Sequence, residues 1–125
     1  RDLRMSRGLG DVYKRQQDYI RVARILLDAA EPLAAQPAPA GRDLLLVQRA
    51  RDVAQYLIEL YLRFPPDRET GLALRRYDEM LCQTYPHIAA MMTNKNTRLL
   101  RAGRYLPYRT LSAWARGKQS NGGIL

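Results

Sequence analysis

Between residues 42 and 64, Leu46, Ala50, Val53, Leu57, Leu60 and Phe64 follow one another at alternating steps of four and three. A strand places every second residue on one face, so only a helix gathers these positions together. Val47, Ala54, Ile58 and Tyr61 widen the stripe beyond a narrow seam, as expected of a helix packed against several neighbours. The pattern makes this segment the centre of an all-α protein. The same stripe, through Leu46, Val53, Leu57 and Leu60, offers a surface for homo-oligomerisation.

Proline, glycine and capping residues divide the rest. Residues 18–31 read as a first helix with its apolar stripe at Tyr19, Val22, Ala23, Leu26, Ala30 and Leu33, stopped by Pro32. Residues 32–41 carry three prolines and no charge, and read as an extended connector. Pro65–Pro66 end the second helix. Asp67 then caps a third, whose stripe is Leu74, Tyr77, Leu81 and Tyr85. Pro86 opens a short fourth helix over 87–92, and residues 93–96 have turn chemistry. A fifth runs over 97–102 with Gly103 to close it, and a last over 108–116 with Pro107 at its start and Gly117 as its stop. Residues 119–125 read as a frayed tail. The expectation is a small bundle of about five to six helices, a scaffold over 17–93 and a basic hairpin over 94–118 suited to a helix-turn-helix.

Residues 6–16, Ser-Arg-Gly-Leu-Gly-Asp-Val-Tyr-Lys-Arg-Gln, resemble the translation of the adapter used in transposase-based sequencing libraries, closing with its mosaic end at Asp11–Gln16. Arg1–Asp2 fits the flow-cell primer, and Leu3–Met5 then corresponds to the sample index. This resemblance implies that the natural chain begins near Gln17 and that its own N-terminus is missing. Segments of foreign origin are set aside before fold reasoning, and residues 1–16 are expected to add nothing to stability.

Setting them aside removes five of 21 Lys/Arg and two of 12 Asp/Glu, leaving 16 bases against 10 acids, a net of +6. Residues 17–79 hold nine Arg and ten acids, whereas residues 80–125 hold seven bases and no acid. Such a confined basic block is the electrostatic footprint of a protein that binds a polyanion. No apolar run approaches the roughly 18 residues of a membrane span, so no membrane partner is expected. The single cysteine, Cys82, forms no internal disulfide and supplies no zinc site, and agrees with a cytoplasmic location.

Enzymatic chemistry finds few candidates. Cys82 and His87 could face one another across Pro86, but no third group orients the histidine, and a partly buried thiol beside a loop histidine is the plainer reading. Asp78 and Glu79 are adjacent, so they point apart on a helix and read as solvated surface. Met80, Met91 and Met92 read as core filler. No enzyme, metal site or cofactor is expected.

The last helix carries the functional pattern. Tyr108, Leu111, Trp114 and Ala115 would dock on the domain, leaving Arg109, Ser112 and Arg116 outward, where Arg and Ser suit phosphate oxygens and base edges. Arg98, Arg101, Arg104 and Lys118 would flank them on the phosphate backbone. Thr110-Leu111-Ser112-Ala113-Trp114-Ala115-Arg116-Gly117-Lys118 resembles the end of the recognition helix in phage repressor-like helix-turn-helix proteins. Upstream the likeness fails: Tyr105 stands where the family has its turn glycine, and Arg101 where it has a small alanine. The resemblance implies a bacterial or phage DNA-binding regulator or accessory factor. The alternative is a helical interaction module whose basic end meets an acidic protein.

Overall fold

The computed structural model describes residues 2–124, with side chains over 14–117. Six α-helices and no strand are found among the described residues: α1 Asp2–Ala34, α2 Arg42–Arg63, α3 Arg68–Thr84, α4 Pro86–Ala90, α5 Lys95–Ala102 and α6 Tyr108–Ile124. The protein is an all-α bundle.

Helix α2 is its axis and packs against α1, α3, α4, α5 and α6. Its buried residues are Val47, Ala50, Ala54, Leu57, Ile58, Tyr61 and Leu62. The core face is thus rotated from the expected stripe. Leu57 lies inside, whereas Leu46, Val53 and Leu60 are half-buried against the core, as is Phe64 along its edge. A helix with five neighbours buries a wide arc, and a seven-residue repeat picks out only part of that arc. The stripe assigned to homo-oligomerisation is therefore largely occupied within the chain.

Helix α1 also differs from expectation. It begins before residue 18, and Pro32 lies inside its last turn instead of ending it. Proline keeps a helix-compatible φ and forfeits one donor, and the helix ends two residues later. Its buried side is Gln16, Ala23, Leu27 and Ala30, while Tyr19, Val22 and Ile25 face solvent. The side chains of residues 1–13 lie outside the described residues, so the adapter-like segment is visible at side-chain level only from Lys14 to Gln16.

Polar groups fix the joints. Asp67 caps α3, its carboxylate accepting from the Thr70 amide at 2.6 Å, and Leu74, Tyr77, Leu81 and Tyr85 are all buried as expected. Glu31, near the end of α1, accepts the backbone amides of His87 and Ile88 at 3.0 Å each. Those are unpaired donors of the first turn of α4, so one carboxylate clasps two helices. The Tyr85 hydroxyl donates to Asp28 at 2.5 Å beside it.

Gly117 lies within α6 instead of closing it. The side chains of residues 118–125, Lys118 included, lie outside the described residues.

Candidate nucleic-acid interface

Helix α5 is capped by Asn94, whose side chain accepts from the Asn96 amide at 2.9 Å. Thr97 and Leu100 are its buried residues, which leaves Arg98 exposed. Arg101 turns inward. Its guanidinium meets the Asp78 carboxylate at 2.7, 3.0 and 3.2 Å and also donates to the Ala89 carbonyl at 2.8 Å. The Tyr105 hydroxyl donates to the second oxygen of Asp78 at 2.7 Å. Asp78 is 1% exposed. Burial alone would lower the Arg101 pKa, but the hydrogen bonds and charge of Asp78 outweigh it and hold the guanidinium protonated.

Two expectations are corrected here. Asp78 is the buried centre of a polar network instead of solvated surface, and Arg101 is its structural partner instead of a phosphate contact. The pair is separated by 23 positions, so no local spacing announces it.

A five-residue turn joins α5 to α6. The Tyr105 amide bonds back to the Leu100 carbonyl at 2.7 Å and that of Arg104 to Arg101 at 3.3 Å, the paired bonds of a Schellman closure. The residue that adopts the left-handed conformation is Arg104, at φ 52°, followed by Tyr105 at φ 67°. Gly103, expected to close the helix, is its C-cap at φ −90°. A Cβ there would stand 2.7 Å from Pro107 Cδ, so this glycine admits the proline ring.

Helix α6 packs on α2 through Tyr108, Leu111 and Ser112, with Ala115 half-buried beside them. The expected faces are corrected accordingly. Ser112 is fully buried, and its hydroxyl shares its proton between the carbonyls of Leu62 at 2.9 Å and Phe64 at 3.2 Å. The last carbonyls of α2 have no intrahelical partner, and that need turns a serine inward. Trp114, expected inside, is 58% exposed. Its outer face also carries Arg109, Thr110 and Ala113, while Arg116 is half-buried and reaches back to the Ser112 carbonyl at 3.4 Å.

At the other edge of the turn, the Tyr108 ring of α6 lies against Gly71 of α3, which has no side chain to hold it off. A Cβ on Gly71 would lie 3.1 Å from the Tyr108 ring. The resulting groove, about 360 Å³, is lined by Arg68, Leu72, Arg75, Arg104, Leu106 and Arg109 among others. Arg75 pairs with Glu79 at 3.4 Å and lies over the Tyr105 ring, 5.8 Å from its centre. Asp67 also borders the groove, with its carboxylate engaged as the α3 cap. Arg68, Arg98, Arg104 and Arg109 meet no carboxylate among the described residues. Arg68 and Arg75 lie outside the acid-free block and join the surface only through tertiary packing.

His87 directs Nδ1 to Glu31 at 2.6 Å, and not to a thiol. Cys82 is exposed, and its partial desolvation together with the nearby Asp78 charge pushes the thiol pKa up, the opposite of what an activated nucleophile needs. Among the described residues no helix is long and apolar enough to cross a membrane, and no three metal-ligating side chains cluster. Comparison with family models, curated proteins and solved structures gave no match.

Proposed function

We propose that this chain is a non-enzymatic nucleic-acid-binding domain, a bacterial or phage DNA-binding regulator or accessory factor acting on duplex DNA in the cytoplasm. One observation carries the reading. In the acid-free stretch after Glu79, Arg98, Arg104 and Arg109 are exposed without a carboxylate partner among the described residues, and Asp78 pairs with Arg101. Exposed arginines without acidic partners raise the local potential and release counterions when they meet phosphates, and Arg104 and Arg109 line one groove. Arg109, with Thr110, Ala113 and Trp114 on the outer face of α6, replaces the original trio as the surface that meets bases. Arg98 and Arg104 sit on phosphates, with Arg116 further along α6.

The test is a binding titration against salt with duplex, single-stranded and RNA probes. It uses the full chain in which Arg1, Arg4, Arg7, Lys14 and Arg15 are replaced by Gln, because residues 1–16 carry a net +3. Arg109→Ala should cost about 1–3 kcal/mol and relax sequence preference. Arg98→Ala should weaken all sequences alike and lower the salt slope by about one. Absence of binding to every probe at low salt retires the reading.

The interaction-module alternative has one observation in its favour. Tyr19, Val22 and Ile25 are 59%, 65% and 68% exposed at three-residue steps along α1, an apolar stripe suited to a partner helix.

A further inference from the structure

Leu106 is 88% exposed, more than any other large hydrophobic side chain among the described residues. A single exposed leucine ordinarily needs no explanation. This one stands on a turn fixed from both sides. Arg104 and Tyr105 are held in the left-handed region, the Tyr105 hydroxyl is tied to buried Asp78, and Pro107 fits against Gly103. Non-glycine residues persist at positive φ only where their surroundings over-determine them, and such positions cluster at functional sites. Around the tip lie Arg68, Arg104 and Arg109, none with a carboxylate partner among the described residues, and Arg75, which has Glu79.

We propose that the α5–α6 turn enters the minor groove of duplex DNA and wedges Leu106 between two base steps, with Arg104 on one flanking backbone, Arg68 and Arg75 on the other, and Arg109 left to the base edges beside the wedge. The inference rests on the nucleic-acid reading and specifies how the duplex is engaged. A minor groove about 6 Å wide excludes a helix but admits a turn tip. Apolar wedges kink a duplex by about 20–90° toward the major groove, and the cost of unstacking is met by contacts that the bend creates. A pre-formed turn adds no ordering cost on binding. Readout by the turn itself is then coarse, by A·T content and by the flexibility of pyrimidine–purine steps. One leucine is too little apolar surface for stable anchoring in a bilayer, which favours DNA over a lipid surface.

The test is fluorescence energy transfer between the ends of a duplex containing central TA steps, read at saturating protein with the full chain. The wild type should raise transfer. Leu106→Ser should bind with an unchanged salt slope and lose the rise, whereas Leu106→Met should retain it. Arg68→Gln should lower the salt slope by about one, although Arg68 lies outside the basic block. Circular-dichroism melts of Leu106→Ser should match the wild type, since the side chain is exposed.

Binding without a rise in transfer, or a full rise with Leu106→Ser, overturns the wedge and leaves the nucleic-acid reading standing. No binding to any nucleic acid retires both. Leu106-dependent binding to vesicles of phosphatidylglycerol and phosphatidylcholine, with no DNA bend, assigns the tip to a membrane surface and also overturns the proposal.

Discussion

Asp78 and Arg101 meet through two nitrogens of the guanidinium, the shortest contact being 2.7 Å, with the carboxylate side chain 2% exposed. Removing one partner of a buried pair strands the other charge and typically costs about 3–5 kcal/mol. Arg101→Ala and Asp78→Ala should therefore each lower the denaturant midpoint sharply. Arg98→Ala, one turn away and exposed, should leave the melt within about 0.5 kcal/mol of the wild type. Equal melts for the two arginine variants would show that the pair contributes no stability.

The turn between α5 and α6 gives opposite outcomes at adjacent positions. Arg104 occupies a left-handed conformation that costs a non-glycine residue about 1–2 kcal/mol. Arg104→Gly should recover part of that and raise the thermal midpoint, despite the extra freedom glycine has when unfolded. Gly103→Ala should lower the midpoint, because its Cβ meets the Pro107 ring at 2.7 Å.

Gln16 is 3% exposed, and its side-chain amide nitrogen is buried without a hydrogen-bond partner among the described residues. A buried unsatisfied donor costs about 1–3 kcal/mol. Gln16→Leu should raise stability in a denaturant melt, whereas a loss would show that the amide is used. Replacing residues 1–13 by an unrelated Gly/Ser segment should leave the midpoint unchanged if the resemblance reflects origin.

Stability should fall at alkaline pH. Burial raises the pKa of Tyr77, and burial together with its bond to Asp78 raises that of Tyr105. The unfolded chain loses these protons near pH 10 while the folded chain keeps them, so the unfolded state binds fewer protons. Stability is then full below about pH 10 and declines as pH rises above it. Tyr105→Phe and Tyr77→Phe should each flatten that decline in melts taken across the range.

The architecture was legible because its signals are local. Prolines, Asp67 and the apolar periodicity of residues 42–64 act within one or two turns, and they place both ends of α2 to α5 near their observed positions, whereas the start of α1 and the end of α6 were missed. The faces were less legible. Ser112 turns inward for carbonyls 48 and 50 positions away, and Arg101 for a carboxylate 23 away. A hydroxyl or a guanidinium reads as surface until a buried partner is known. Trp114 was misplaced for the same reason, since the serine took the inward position that hydrophobicity alone gave to tryptophan. The Arg68–Arg75 side of the groove was not legible either, because α3 and the α5–α6 turn meet only in the folded chain, where the Tyr108 ring lies against Gly71.

Glu31 holds the first turn of α4 from the end of α1, and Asp28 holds Tyr85 just before it. The exposed connector between α1 and α2 is therefore not the only link at that corner. Its length is free to vary, since doubling a flexible loop costs only about 0.6 kcal/mol. The corner is a natural insertion point: a second folded module spliced between Ala35 and Gly41 would ride on a bundle whose helices stay stitched together beneath it.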